Sequence, residues 1–274
     1  MSAQPPPPSP PAPAGFPRWP LWLPLAGLAA GLAFGLLTLS IVSAALTAGG
    51  VKADGNSPGI TAAGTVLVDV SVVVASLLLA GLVARPRPWQ LGLRGAPLTF
   101  TAQVAGIGAL AYILFGFVYQ AVVHEKSQQK VVENLGADRN TLLLVVGAVV
   151  VIAVAPVCEE LFFRGVLFRV LRMRMSFWVA GIVDGIIFGL VHGDLVVAPV
   201  LAFLGLVFCY VYERTGTLYA TIALHALNNS ISYGVVTKNG WAPALTVGAL
   251  VIGGCIMGIL RAPRAVPATA AVPA

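Results

Sequence analysis

"VAPVCEELFFRGVLFRV", residues 154–170, sets Glu159, Glu160 and Arg164 in a run that is otherwise almost wholly apolar. Ionisable groups in a membrane helix are costly and mark function by default. Whether this run lies in a bilayer therefore decides both the fold and the search for a site. Composition answers first. Of 274 residues, 58% are hydrophobic and 9% are charged, whereas a soluble domain devotes about a quarter of its residues to charge. So few charges cannot cover a water-facing surface, so the chain is predicted to be a membrane protein. The net charge of +6 sits mostly in short clusters between apolar runs. That pattern reports membrane orientation and argues against nucleic acid as a partner.

Working outward, apolar runs of spanning length recur near residues 21–48, 60–84, 98–123, 141–157, 176–191, 195–212, 216–236 and 241–260. The fourth continues past Pro156 into the quoted stretch. Backbone exposed to lipid must satisfy its own hydrogen bonds, so the spans are helices. The expected fold is an all-α, polytopic membrane bundle of about eight transmembrane helices, forming one domain over residues 21–260. The Pro-rich residues 1–20 and residues 261–274 read as disordered tails. The first apolar run exceeds the ~7–15 residues of a signal-peptide core and should stay as a span. With the N-terminus inside, Arg18, Arg85, Arg87, Arg94, Arg164, Arg169, Arg172, Arg174, Arg214, Arg261 and Arg264 fall inside. Lys52, Lys126, Lys130, Arg139 and Lys238 fall outside. This bias of 11 to 5 puts both termini in the cytoplasm of a multi-pass cell-membrane protein. The connector 124–140 reads as a polar loop or a short amphipathic surface helix.

The ionisable residues within spans are few: Asp69, Glu159, Glu160, Arg164, Asp184, His192 and His225, with Asn228 and Asn229 as neutral company. Glu160 and Arg164 are four apart and can pair on one helix face. Glu159 is turned about 100° from Glu160 and points elsewhere. The segments 157–172 and 176–191 form an antiparallel hairpin about a turn at 173–175. Glu159 and His192 are equally far from that turn and should meet at one depth. Phe188 and His192 share a face, as do His225 and Asn229, whose depth overlaps that of Glu159. A carboxylate beside an imidazole can deprotonate water, and a second His with an Asn can steady an oxyanion. Glu159, His192 and His225 are also the candidate ligands of a catalytic zinc ion, although no HExxH helix supports a metal. Zinc and a metal-free Glu/His mechanism both stay open. Asp69 and Asp184 have no obvious partner in sequence; Asp184, eight residues before His192, is a supporting residue at best. Cys158, Cys209 and Cys255 read as small buried hydrophobes, with Cys158 the one to test as a nucleophile.

At these residues the chain resembles the CAAX-protease and bacteriocin-processing (CPBP, or Abi) membrane proteases. "EELFFR", "FGLVH" and "HALNN" look like that family's motifs Glu-Glu-x-x-x-Arg, Phe-x-x-x-His and His-x-x-x-Asn, and the resemblance covers about residues 141–235. It implies hydrolysis of a peptide bond in a peptide or membrane-protein substrate within the bilayer. Glu159 and His192 would activate water. His225 and Asn229 would form the oxyanion hole. Glu160 and Arg164, with Phe188, would shape the site or bind the substrate. Two other readings fit the same residues: a non-enzymatic immunity or partner-stabilising protein on this scaffold, and a transporter using the buried Glu and His as a proton relay.

Overall fold

A computed structural model describes residues 17–51, 57–123 and 141–264. Among them are eight helices: α1 (Trp22–Ala48), α2 (Pro58–Val83), α3 (Leu98–Val123), α4 (Thr141–Arg172), α5 (Phe177–Leu190), α6 (Ala198–Thr215), α7 (Leu218–Val236) and α8 (Trp241–Arg261). Six of these, all but α5 and α7, are long and apolar enough to cross a membrane. The α5 helix has only 14 residues, and α7 carries the polar His225, Asn228 and Asn229. The chain is a multi-pass helical membrane bundle, as its composition requires.

Helices in lipid gain little from the hydrophobic effect when they meet, so close van der Waals approach must hold them. Two glycine ladders provide it. On α1, Gly27, Gly31 and Gly35 lie against Ser76, Val72 and Val68 of α2. On α5, Gly181, Gly185 and Gly189 lie against Leu206, Ala202 and Ala198 of α6. A Cβ at Gly185 or Gly189 would stand 2.4 Å from a carbonyl oxygen of α6. α3 completes the wall beside α6, with Phe115 stacked on Phe203 at 4.2 Å and the Tyr119 hydroxyl donating to Val196 O at 2.6 Å. The outward faces carry large apolar side chains, such as Leu82, Phe117 and Val122, which suit lipid.

One end of the bundle is tied together by arginines. Arg94 Nε donates to Gly216 O. Arg169 Nε reaches the Tyr212 hydroxyl at 3.1 Å, and Arg174 Nη2 donates to Trp19 O at 2.6 Å. Gly95 N–H donates to Pro263 O at 3.2 Å. The α2–α3, α4–α5 and α6–α7 connections and both described chain ends thus share one end, as simple alternation of spans demands. The expected tails meet the bundle here: Trp19 is buried with its indole N–H on Ala84 O. Residues 1–16 and 265–274 lie outside the described residues, as do Lys52 and the connector 124–140. One arginine in the orientation count is not a loop residue. Arg164 has no exposed surface, because it is held by the core. Removing it from the inside set leaves 10 against 5.

The central helix α4 is not uniform. It is α-helical over Thr141–Val149, widens to π-helix over Val150–Val154, is α-helical over Ala155–Phe162, and widens again over Phe163–Phe168. Pro156 explains the first widening. The N–H of Ala155 bonds Val150 O, five residues back. The next donor in that pattern would be residue 156, but proline has no N–H. Val151 O is left over, and Asn229 Nδ2 of α7 donates to it at 2.8 Å. Widened turns of this kind recur at functional sites, and here the two bracket the Glu159–Glu160 pair.

Candidate active site

Four helices build the site. The α4–α5 hairpin turns at residues 173–176, where the Ser176 hydroxyl accepts from Val179 N–H. Phe163 and Phe188, equidistant from that turn, meet edge to face with centroids 5.1 Å apart. Glu159 lies one turn further along α4, and His192 lies just past the end of α5. The deeper part of the site is Arg164. Its Nη1 donates to Glu160 Oε1 at 2.9 Å, and both side chains are fully buried. Its Nη2 donates to Gly205 O at 2.8 Å. The guanidinium sits among the rings of Phe163, Phe188 and Phe208, at 5.5, 4.8 and 5.0 Å from their centroids. These aromatic faces attract a desolvated cation. The Glu160–Arg164 pair expected from the four-residue spacing is therefore present and deeply enclosed.

His225 lies between the two glutamates. Its Nδ1 is 3.1 Å from Glu160 Oε1, and its Nε2 is 3.9 Å from Glu159 Oε2. With Glu160 Oε1 accepting, Nδ1 is the donor of this pair. Phe208 covers the imidazole at a centroid distance of 4.9 Å, and Phe188 meets it at 5.8 Å. Phe188 also touches the ring of His192 at 5.0 Å. His192 Nδ1 is 2.7 Å from Phe188 O and must donate to that carbonyl, which leaves Nε2 as the ring nitrogen open to other partners. Both histidines are thus anchored through Nδ1. His192 is exposed, Glu159 is partly exposed, and Glu160 and His225 are buried, so the group runs from the surface inward.

Glu159 Oε2 is enclosed and has no hydrogen-bond partner among the described residues. Asp69 of α2 stands near Glu159. Nothing in the sequence pointed to this approach, because α2 and α4 are far apart in the chain. Asn229 meets Val151 O through one amide hydrogen, and its Oδ1 accepts from Asn228 Nδ2 at 3.1 Å. Its second amide hydrogen is uncommitted by these bonds. Cys158 is half-buried. The residue that sequence reasoning undervalued is Asp184, which is fully buried on α5. Its Oδ1 is 3.4 Å from Arg164 Nη2 and accepts from Cys209 Sγ at 3.2 Å. Its place on the His192 face of α5 was the available signal.

The donor set does not fit a metal ion. Zinc needs at least three protein ligands at about 2.0–2.3 Å. Glu159 and His225 approach each other, but among the described residues no three His, Cys, Asp or Glu side chains gather closely enough to hold an ion.

These features define a class: a polytopic membrane protein with Glu160, Arg164 and His225 buried, and Asn229 half-buried, at the junction of α4, α5, α6 and α7. Residues 141–231, the same four helices, match the family model described as Rce1-like, type II CAAX prenyl endopeptidase Rce1-like. A Bacillus subtilis (strain 168) protein named "Putative membrane peptidase YdiL" is 28% identical over 123 residues, covering 45% of this chain and 46% of that protein. The chain thus spans about half the length of the curated relative it matches. No solved structure is significantly similar. Over these residues the chain is similar to CAAX-type membrane proteases, in agreement with its three motifs.

Proposed function

We propose that the protein is an intramembrane endopeptidase that hydrolyses a peptide bond with water activated by Glu159 and His192, using His225 and Asn229 to stabilise the oxyanion. The observation that supports this most is the approach of Glu159 Oε2 to His225 Nε2 at 3.9 Å, with that carboxylate oxygen lacking a hydrogen bond among the described residues. The separation is too long for a direct hydrogen bond, so Nε2 stays available to a substrate carbonyl oxygen while the carboxylate beside it holds the water. In the reaction the water oxygen bonds to the carbonyl carbon and its proton passes to Glu159. The carbonyl oxygen gains negative charge and takes hydrogen bonds from Asn229 Nδ2 and from His225 when Nε2 carries a proton. The C–N bond then breaks, and the proton on Glu159 passes to the leaving amine. Glu160 and Arg164 hold His225 in place during these steps. No step is assigned to a metal.

Purified protein in detergent, incubated with a library of single-span peptides and read by mass spectrometry, tests the reading. Cleavage in or beside the span is expected, and it should persist in a chelator. Loss of cleavage on chelation with recovery on adding zinc would replace the metal-free mechanism. A folded wild-type protein that cleaves nothing in the library would favour the non-enzymatic alternative.

A further inference from the structure

Asp184 lies outside the three motifs, yet it is buried as completely as Arg164 and Glu160. A buried carboxylate needs compensation. The structure shows where it comes from: Arg164 Nη2 at 3.4 Å and the Cys209 thiol at 3.2 Å, both on Oδ1. The guanidinium is therefore gripped from two sides. Nη1 meets Glu160, while Nη2 meets Asp184 and the Gly205 carbonyl. Glu160 Oε1 in turn receives both Arg164 Nη1 and His225 Nδ1. A continuous buried chain results, running Asp184–Arg164–Glu160–His225 across α5, α4 and α7, with α6 contributing Gly205 and Cys209.

Local packing makes the chain possible. Gly185, next to Asp184, lets α5 approach the α6 backbone, and Gly205 lies against Gly185 Cα and the Arg164 guanidinium. A planar guanidinium with fixed forked donors transmits orientation as well as charge. If one side of the fork is released, the other loses its constraint. We infer that Asp184 is a positioning residue of the site: through Arg164 it holds Glu160 on His225 Nδ1, and so keeps His225 Nε2 turned toward Glu159. This rests on the peptidase reading only for its kinetic consequence. The orientation of His225 is a property of the resting protein.

The test uses the full chain in detergent, with Asp184→Asn, which keeps the shape and the accepting oxygen, and Asp184→Ala, which removes both. Partners that orient a metal-bound histidine matter by roughly 10–100-fold, and a factor of that order is expected for His225. Asp184→Ala should lower kcat by that factor and Asp184→Asn by less, with KM held within about twofold in both. The second readout needs no substrate. The chain has three histidines, so selective 15N labelling gives a short set of imidazole signals. Both substitutions should shift the His225 ring nitrogens and leave those of His192 in place. A wild-type protein that cleaves no peptide, together with this selective shift in the two variants, removes the peptidase reading and keeps the positioning role. Unchanged His225 signals and unchanged kcat in Asp184→Ala would overturn the inference. So would a shift of all histidine signals alongside loss of the thermal transition in both variants, which would make Asp184 a packing residue only.

Discussion

Arg164→Met removes the guanidinium and keeps much of the stem, so it isolates the charge from the packing. In the native protein that charge serves Glu160 at 2.9 Å, the Gly205 carbonyl at 2.8 Å and Asp184 at 3.4 Å, with no exposed surface. Breaking a buried ion pair by deleting one partner costs about 3–5 kcal/mol, because the survivor is left uncompensated. Here two carboxylates and a carbonyl are stranded together, which argues for the upper end of that range. The same bundle holds an internal control. Arg172 meets Glu213 at the same 2.9 Å, but with side chains 37% and 32% exposed. Water and ions screen that pair, and Arg172→Met should cost about 0–1 kcal/mol. The difference between two pairs of equal length measures what burial does. Unfolding of both variants in one detergent, by heat or by denaturing detergent, gives the comparison. Because Glu160 and Arg164 share one network, Glu160→Gln combined with Arg164→Met should cost less than the sum of the two alone. An Arg164→Met protein no less stable than Arg172→Met would refute the buried network.

Asn229→Ala should lose both the donor to Val151 O, worth about 1–3 kcal/mol as an unsatisfied buried carbonyl, and about 10²–10³ in turnover as an oxyanion donor; Asn228→Ala should do far less in both assays. Gly185→Leu should destabilise the protein by more than the ~1–3 kcal/mol of ordinary overpacking, because its Cβ would lie 2.4 Å from Ala202 O; a normal unfolding midpoint would show that α5 and α6 are not packed this closely. Both termini should be cytoplasmic on the Arg/Lys bias, so a cysteine at position 270 labelled from outside intact cells would reverse the orientation.

Particular residues show how far the sequence could be read. The long apolar runs announced the helices because lipid permits little else. The four-residue spacing of Glu160 and Arg164 announced their pair, and equal distance from the hairpin turn announced the level at which α4 and α5 meet, seen in Phe163 and Phe188. Contacts between distant helices were hidden. No periodicity reveals that Asp69 of α2 approaches Glu159, or that His225 touches both glutamates. The fate of Val151 O was half-visible: Pro156 signals a missing donor, but only the folded bundle shows that Asn229 replaces it. Asp184 was set low because a lone buried Asp has no partner on its own helix. Its partners, Arg164 and Cys209, come from α4 and α6.

The central claim is that Glu159 delivers water to a peptide carbonyl. Cleavage of a single-span peptide in 18O-enriched water, followed by mass spectrometry of the new C-terminus, tests it most directly. Wild-type protein and Cys158→Ser should both release fragments whose new carboxyl carries 18O. Glu159→Gln, which keeps the volume but cannot take a proton, should release them about 10²–10⁴ times more slowly. Undiminished 18O incorporation by Glu159→Gln, together with none by Cys158→Ser, would contradict the account and move the nucleophile to the thiol.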